Sequence, residues 1–342
     1  MCRLELLTTL EQLAALRTEW DALLPQTATN EVFLTWEWQD AWWRAYQPGE
    51  LFAIAGRNEH NQLVALAPWF IDLTNPAERV VRPIGCVEVT DYLDVIVHSE
   101  QRSTFFEALS DFLIEHKARF DRINLCNLHG DSPTATELAD VLRAHHFAVN
   151  LRTQEVCPII TLPDTFDKYL ESLDKKNRHE ARRKMRRTEG DEGNRVNWYI
   201  VGEGHDLEAE LDKFLRLMAA SHPTKAAFLA DEKNAAFFKL VMPRMAACGW
   251  LQLSFLTVND DPAATYLNFD YGGKIQVYNS GLMPEMYSYL SPGIVLLLHN
   301  IQHAITLGRS EFDFLRGNED YKYRLGGQDR PVVELAARLE GN

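Results

Sequence analysis

The sequence predicts an α/β (α+β) protein built from two similar units in tandem, each a mixed central sheet flanked by helices. Three observations carry this. At 342 residues the chain has room for about two domains. Its hydrophobic patterns run twice through nearly the same order: strand, two helices, a meander of two or three strands, helix, strand, helix or loop, strand. In the second half, LSPGIVLLLHNIQHAITLG, residues 290–308, lies between two strand-like segments. A strand that leads through a helix to another strand is most simply a crossover joining parallel neighbours. The units are placed at 1–160 and 161–342, with the second opening on a basic helix at 164–189.

In the first unit, Arg3 to Leu7 alternates as a short strand, and Leu10 to Leu24 has helical apolar spacing that stops before Pro25. Trp36 to Tyr46 is a helix heavy in aromatics, either a stacking wall for a ring-shaped acceptor or a core helix. Strands at 51–57 and 63–71 flank the polar turn 58–61. Tyr92 to Val97 follows as a strand, then a helix from Ser103 to Ala118, a strand from Arg122 to Cys126, a helix from Thr134 to His145 and an extended stretch through Ile160.

From Asp174 to Arg187 eight Lys or Arg stand against two acidic residues, a basic face on a chain whose net charge is −14. It is either a solvated helix paired with acidic neighbours or a site for phosphates. A loop containing Gly190 and Gly193 leads to a strand at 196–201, helices at 206–220 and 232–247, and strands at 250–258, 263–269 and 274–280. Asp270 to Gly273 makes a hairpin turn.

The helix after these strands has an informative start. Ser291 is a good N-cap, Pro292 suits the first helical position, and Gly293 permits close approach of another backbone or a ligand. The free amides of such a start favour an anion, typically a phosphate. Ile294, Leu297, Leu298, Ile301 and Ile305 form the apolar face, and Gly308 ends the helix. The strand Glu311 to Leu315 follows, and Val332 to Leu339 is the last strand.

Composition excludes several classes. Hydrophobic residues at 46% and charged residues at 25% suit a folded soluble protein, and the acidic balance argues against a general DNA binder. Five dispersed cysteines without a CxxC fit buried thiols in a reducing cytosol. No signal peptide or membrane span is expected, which places the chain in the cytoplasm. Gly202-Glu203-Gly204 lacks the third glycine of a dinucleotide fingerprint, and there is no GxSxG, HExxH or other metal spacing.

The segment from Tyr266 to Lys322, with YLNFDYGG, VYNSGL, LSPG and FDFLRGNEDYK after a basic helix, resembles the BioF2-like or CelD-like acetyltransferases of the GNAT superfamily. WEWQDAWWRAY, LVALAPWF, DYLDVIV and SHPTKAAFLADEKNAAFF are similar to further family segments. The family is related to the Fem-type peptidyl transferases, which also carry two tandem GNAT-like units. The resemblance implies transfer of an acyl group, usually acetyl, from coenzyme A to an amine or hydroxyl, with acyl-CoA as co-substrate and no metal. It implies cofactor binding by Tyr278, Asn279, Ser280 and Gly281 and by the helix start Ser291, Pro292 and Gly293. The superfamily's usual phosphate loop has two small residues, and this chain offers one glycine.

Direct transfer from a thioester needs donors for the oxyanion, a base for the nucleophile and a means to protonate the departing thiolate. Backbone amides from Asn279 to Leu282 meet the first need. Asp270, Asp313 and Glu319 are the carboxylates near strand ends, and Asp313 either acts as a base or holds a turn with Arg316. Tyr321 and Lys322 resemble an aromatic-Lys pair of Fem-like transferases, with Lys322 set to stabilise negative charge and Tyr321 to donate a proton. Tyr92 and Asp94 are expected to face an acceptor, small or polysaccharide-linked. Two other functions fit the same elements: aminoacyl transfer from charged tRNA, and a catalytically silent scaffold in surface-polysaccharide biosynthesis.

Overall fold

The computed structural model describes residues 2–86, 89–189, 193–283 and 287–340, so Gly190 lies outside the described residues. The chain divides into two compact units, one of residues 1–156 with 330–342 and one of residues 157–329. The last strand thus goes with the first unit, because its pairing partners lie there.

The first unit contains β1 (Arg3–Leu7), α1 (Leu10–Ala15), α2 (Arg17–Leu23), α3 (Trp36–Tyr46), β2 (Gly49–Leu51), β3 (Ala53–Arg57), β4 (Leu63–Ala67), β5 (Trp69–Asp72), β6 (Val80–Pro83), β7 (Ile96–Val97), α4 (Arg102–Glu115), β8 (Arg122–His129), α5 (Ala139–Ala144) and most of β9 (Phe147–Thr161). One sheet has the order β1-β3-β4-β7 and is antiparallel. The strands read as continuous at 51–57 and 63–71 break at Phe52 and Pro68, and β2 and β5 leave to pair with each other. Beside them β6 runs parallel to β8, so this second sheet is mixed.

The aromatic helix α3 is a core element. Trp38 and Trp42 are fully buried, the Trp38 indole donates to Thr90 Oγ1 at 3.0 Å, and Trp42 packs on Phe70. Tyr92 is buried and stacked on His129 at 4.1 Å. Asp94 is buried too, accepts from the Val95 amide and the Thr29 hydroxyl, and is pushed up in pKa by desolvation. Cys86 and Cys126 form a disulfide, where dispersed spacing predicted separate thiols; parallel pairing of β6 with β8 carries the two to one place.

The second unit comprises α6 (Phe166–Ser172), α7 (Lys175–Glu189), β10 (Val196–Ile200), α8 (Leu207–Ser221), α9 (Pro223–Ala230), α10 (Glu232–Ala247), β11 (Leu251–Val258), β12 (Asp261–Tyr271), β13 (Lys274–Leu282), α11 (Pro292–Thr306), β14 (Glu311–Asp313) and α12 (Asp320–Arg324). The final strand, β15 (Gln328–Leu339), pairs antiparallel with β8 of the first unit from Val332 onward. Strands β10 to β13 form an antiparallel meander, β14 adds parallel to β13, and Ile159–Thr161 of β9 close the edge antiparallel to β14.

The helix expected over 164–189 is two helices. Leu173 is extended, and Asp174 takes the Asn177 amide at 2.9 Å on its Oδ1, so an aspartate inside the run starts α7 instead of continuing α6. Helix α9 lay in a stretch read without an element; His222 caps the Thr224 amide and Pro223 takes the first turn. Helix α11 is buried beyond its expected stripe, with Val295 and Leu296 as inaccessible as Leu297, Leu298 and Ile301. Helix α7 lies against the start of α11: Lys184 reaches Ser291 and Arg187 reaches the Tyr289 carbonyl.

Candidate functional site

The site forms where β13 and β14 part. Their pairing ends at Gln276 with Asp313, while β13 continues to Leu282 bound on one side to β12. Leu267 pairs with Asn279 and Asn268 with Val277, so Tyr278 is the extra residue of a β-bulge. A bulge leaves a residue out of the ladder and turns the strand. The Tyr278 ring packs on Phe238 and Phe269. Beyond the bulge Ser280 is satisfied by the chain's own side chains: Asn279 Oδ1 accepts its amide at 2.9 Å, and Lys225 Nζ donates to its carbonyl at 2.6 Å.

Gly281 and Gly293 are glycine for different reasons. A Cβ on Gly281 would stand 2.4 Å from the Met218 nitrogen, so α8 lies directly on the backbone of β13 and the residue has a packing role. At Gly293 a Cβ would meet only Leu282 Cδ2 at 3.8 Å and the Tyr266 hydroxyl at 3.9 Å, ordinary contacts. Neither packing nor a positive φ requires glycine there. What glycine gains at a helix start is room for a close approach to the amides.

Ser291 does not cap α11 as expected. A 3-10 turn over Ser288–Leu290 hands the chain to the helix through a left-handed Ser291, φ 53°, and its side chain makes no cap bond. The hydroxyl instead accepts from Lys184 Nζ at 2.6 Å. Pro292 has no N–H, and Val295 N donates to Ser291 O at 3.1 Å, so the Gly293 and Ile294 amides are the ones without a helical acceptor.

Beside this helix start lies a cavity of about 310 Å³ lined by Lys176, Asn177, Glu180, Ala181, Lys184, Ile294, Tyr321, Arg324 and Leu325. Lys176, Lys184 and Arg324 bring three cations to it against Glu180, which is itself bound to Arg183. Burial lowers the Lys184 pKa, and Arg183, Arg187 and Arg324 lower it further against the opposing pull of Glu180. Cations crowded at a helix N-terminus are the environment an anion relieves.

Tyr321 joins this cavity. Burial raises its pKa, so the phenol holds its proton through the neutral range. Tyr266, below Gly293, is raised by burial as well, and Tyr321 adds to that shift. Lys322 and Asp313 are used otherwise. Lys322 is 2% exposed and donates to the carbonyls of Leu315, Arg316 and Gly317 at 2.8–3.1 Å, with Glu319 Oε2 at 2.9 Å. Asp313 is buried and accepts from the Leu315 amide at 2.7 Å. Together they hold the loop between β14 and α12. Sequence reasoning missed Lys184, Lys176 and Arg324 as a group, because they converge from two helices; the density of Lys and Arg in 174–187 was the available signal. Lys225 gave none, being one lysine in an alanine-rich stretch.

Residues 175–323 match the family described as acetyltransferase (GNAT) domain. No curated protein sequence matches the chain. Among solved structures it is similar to FemX, with 13% identity, a TM-score of 0.65 and coverage of 94% of this chain and 95% of that one. It is also similar to a conserved protein from Bacteroides thetaiotaomicron VPI-5482, at 12% identity and TM-score 0.60, covering 99% and 100%. L-PGS from Bacillus licheniformis follows at 11% and 0.56, covering 95% and 92%. At such identities these likenesses establish a shared fold. Among the described residues no helix is long and apolar enough to cross a membrane, and no group of three His, Cys, Asp or Glu is placed to hold a metal ion.

Proposed function

We propose that the second unit transfers an acyl group, acetyl in the first instance, from coenzyme A to an amine or hydroxyl acceptor by direct attack. The observation that carries this reading is the start of α11: two amides without helical acceptors, a glycine that packing does not demand, and Lys176, Lys184 and Arg324 around one cavity. A pyrophosphate fits that charge and those donors. The one-sided edge of β13 beyond Gln276 offers an extended, amide-bearing arm a strand to pair with. Main-chain amides of β13 beyond the bulge at Tyr278 supply donors to a developing oxyanion. Tyr321, protonated at neutral pH, gives its proton to the departing thiolate sulfur. Lys322 and Asp313 act through the loop that leads into α12, the helix that carries Tyr321.

Aminoacyl transfer from charged tRNA, in the manner of the Fem-type enzymes, is the second reading. It is favoured by α7, where Lys175, Arg178, Arg182 and Arg186 line a wider cavity of about 970 Å³ that shares Lys176 and Glu180 with the one at the α11 start. A thermal-shift comparison separates the two. Stabilisation by acetyl-CoA without a response to charged tRNA supports the first. A response to charged tRNA with none to any acyl-CoA replaces it with the second.

A further inference from the structure

Of the two lysines beside the parted strands, Lys322 has its ammonium enclosed by three carbonyls and Glu319. The other, Lys225, is held differently. Helix α8 lies on β13 at Gly281, and the chain then turns through His222 into α9, which returns Lys225 to the free edge of the same strand. Its Nζ donates to the Ser280 carbonyl at 2.6 Å and lies 3.4 Å from the Ser280 hydroxyl. The facing groups are few. Strand β13 offers the uncharged Ser280, and α9 contains no other charged residue. Among the described residues, Glu319, from the loop before α12, is the charge that acts on it, and Glu319 is already bound to Lys322.

The geometry points to Lys225 as a catalytic residue: the base that takes the proton an amine acceptor must lose before it attacks an acyl carbonyl lying along the free edge of β13. This rests on the acyl-CoA reading above. The acceptor ammonium gives one proton to the neutral Lys225 amine. Its nitrogen then bonds to the acyl carbon as the C–S bond breaks; Tyr321 gives its proton to the thiolate sulfur and is reprotonated by the nitrogen's second proton. The products are an amide, a free thiol and a Lys225 ammonium held by the Ser280 carbonyl. Burial lowers the Lys225 pKa to about 8, with Glu319 opposing, so a usable fraction is neutral at working pH. Lys322 lacks that freedom, its protons being spent on carbonyls.

Two measurements on the full chain test this. Pulse labelling of lysines with acetic anhydride across pH, read by mass spectrometry, should show Lys225 half-reactive near pH 8; a midpoint near the ordinary lysine value of about 10.4 overturns the inference. Thiol release from acetyl-CoA is then followed with two probe acceptors: ethanolamine, protonated at pH 7.5, and hydroxylamine, neutral there. Lys225→Met should slow the ethanolamine reaction about a hundredfold while leaving the hydroxylamine reaction within about twofold. Lys225→Arg, which keeps a donor for Ser280 and cannot accept a proton, should behave as Lys225→Met. Rescue by arginine, or equal loss with both amines, gives Lys225 a structural role only. Failure of the wild-type protein to bind acetyl-CoA is a separate result, which removes the acyl-CoA reading and this inference with it.

Discussion

Replacing Gly293 with alanine should move stability and affinity in opposite directions. The added Cβ meets Leu282 and Tyr266 at 3.8 and 3.9 Å, distances that need no adjustment, and the residue sits in the first turn of a helix. Alanine is favoured over glycine in helices by about 0.5–1 kcal/mol, and a first-turn position takes the lower end. For a unit of this size that is a rise in melting temperature of about 1–2 °C. The same methyl group adds bulk beside the helix start whose Gly293 and Ile294 amides are proposed to bind the pyrophosphate. Loss of one charge-assisted hydrogen bond, about 1.5–3 kcal/mol, corresponds to roughly ten- to hundredfold weaker binding. Calorimetric melting and fluorescence titration with coenzyme A read the two effects on one preparation. A lower melting temperature would mean that glycine is needed for packing after all, and unchanged affinity would place the phosphates elsewhere.

Lys184→Met should weaken coenzyme A binding about tenfold or more by removing a cation from the cavity. Because the folded Lys184 pKa lies below its ordinary 10.5, its charge costs stability at every pH below the folded value. That cost fades as pH rises toward 10.5, so wild-type stability should gain there relative to Lys184→Met, and denaturant midpoints at pH 7 and pH 10 check the sign. Gly281→Ala should destabilise by about 1–3 kcal/mol in urea unfolding, since Met218 N would lie 2.4 Å from the new carbon. Lys322→Met should cost about 2 kcal/mol or more by leaving the Leu315, Arg316 and Gly317 carbonyls without their charged donor. Turnover should fall with it as the loop leading into α12 and Tyr321 loosens; lost turnover at full stability would return Lys322 to direct catalysis.

Local patterns were legible wherever one periodicity ran without competition. Trp36–Tyr46 and Glu232–Ala247 begin and end where their spacing indicates, and the crossover from β13 through α11 to parallel β14 follows from the order of segments. Boundaries failed where a capping residue sat inside a helical run, as at Asp174, or where the chain changed sheets, as at Phe52 and Pro68. The cysteine pair could not be read because residues 86 and 126 meet only through strand pairing. At the site, the anion-attracting start of α11 was visible as Ser-Pro-Gly, but Ser291 was given a role its left-handed backbone does not allow. The cations that complete the cavity come from α7 and α12, and the low-pKa lysine comes from α9. Such convergence is a tertiary property, to which neither composition nor spacing responds.

The central claim is that the start of α11 receives the pyrophosphate of an acyl-CoA, and calorimetric titration of acetyl-CoA into the wild-type chain and Gly293→Asp tests it most directly. The account predicts binding to the wild type that weakens with added salt, and loss of at least tenfold in affinity when a carboxylate is set beside the Gly293 and Ile294 amides. Equal affinity for both proteins, or no binding by the wild type, would contradict it.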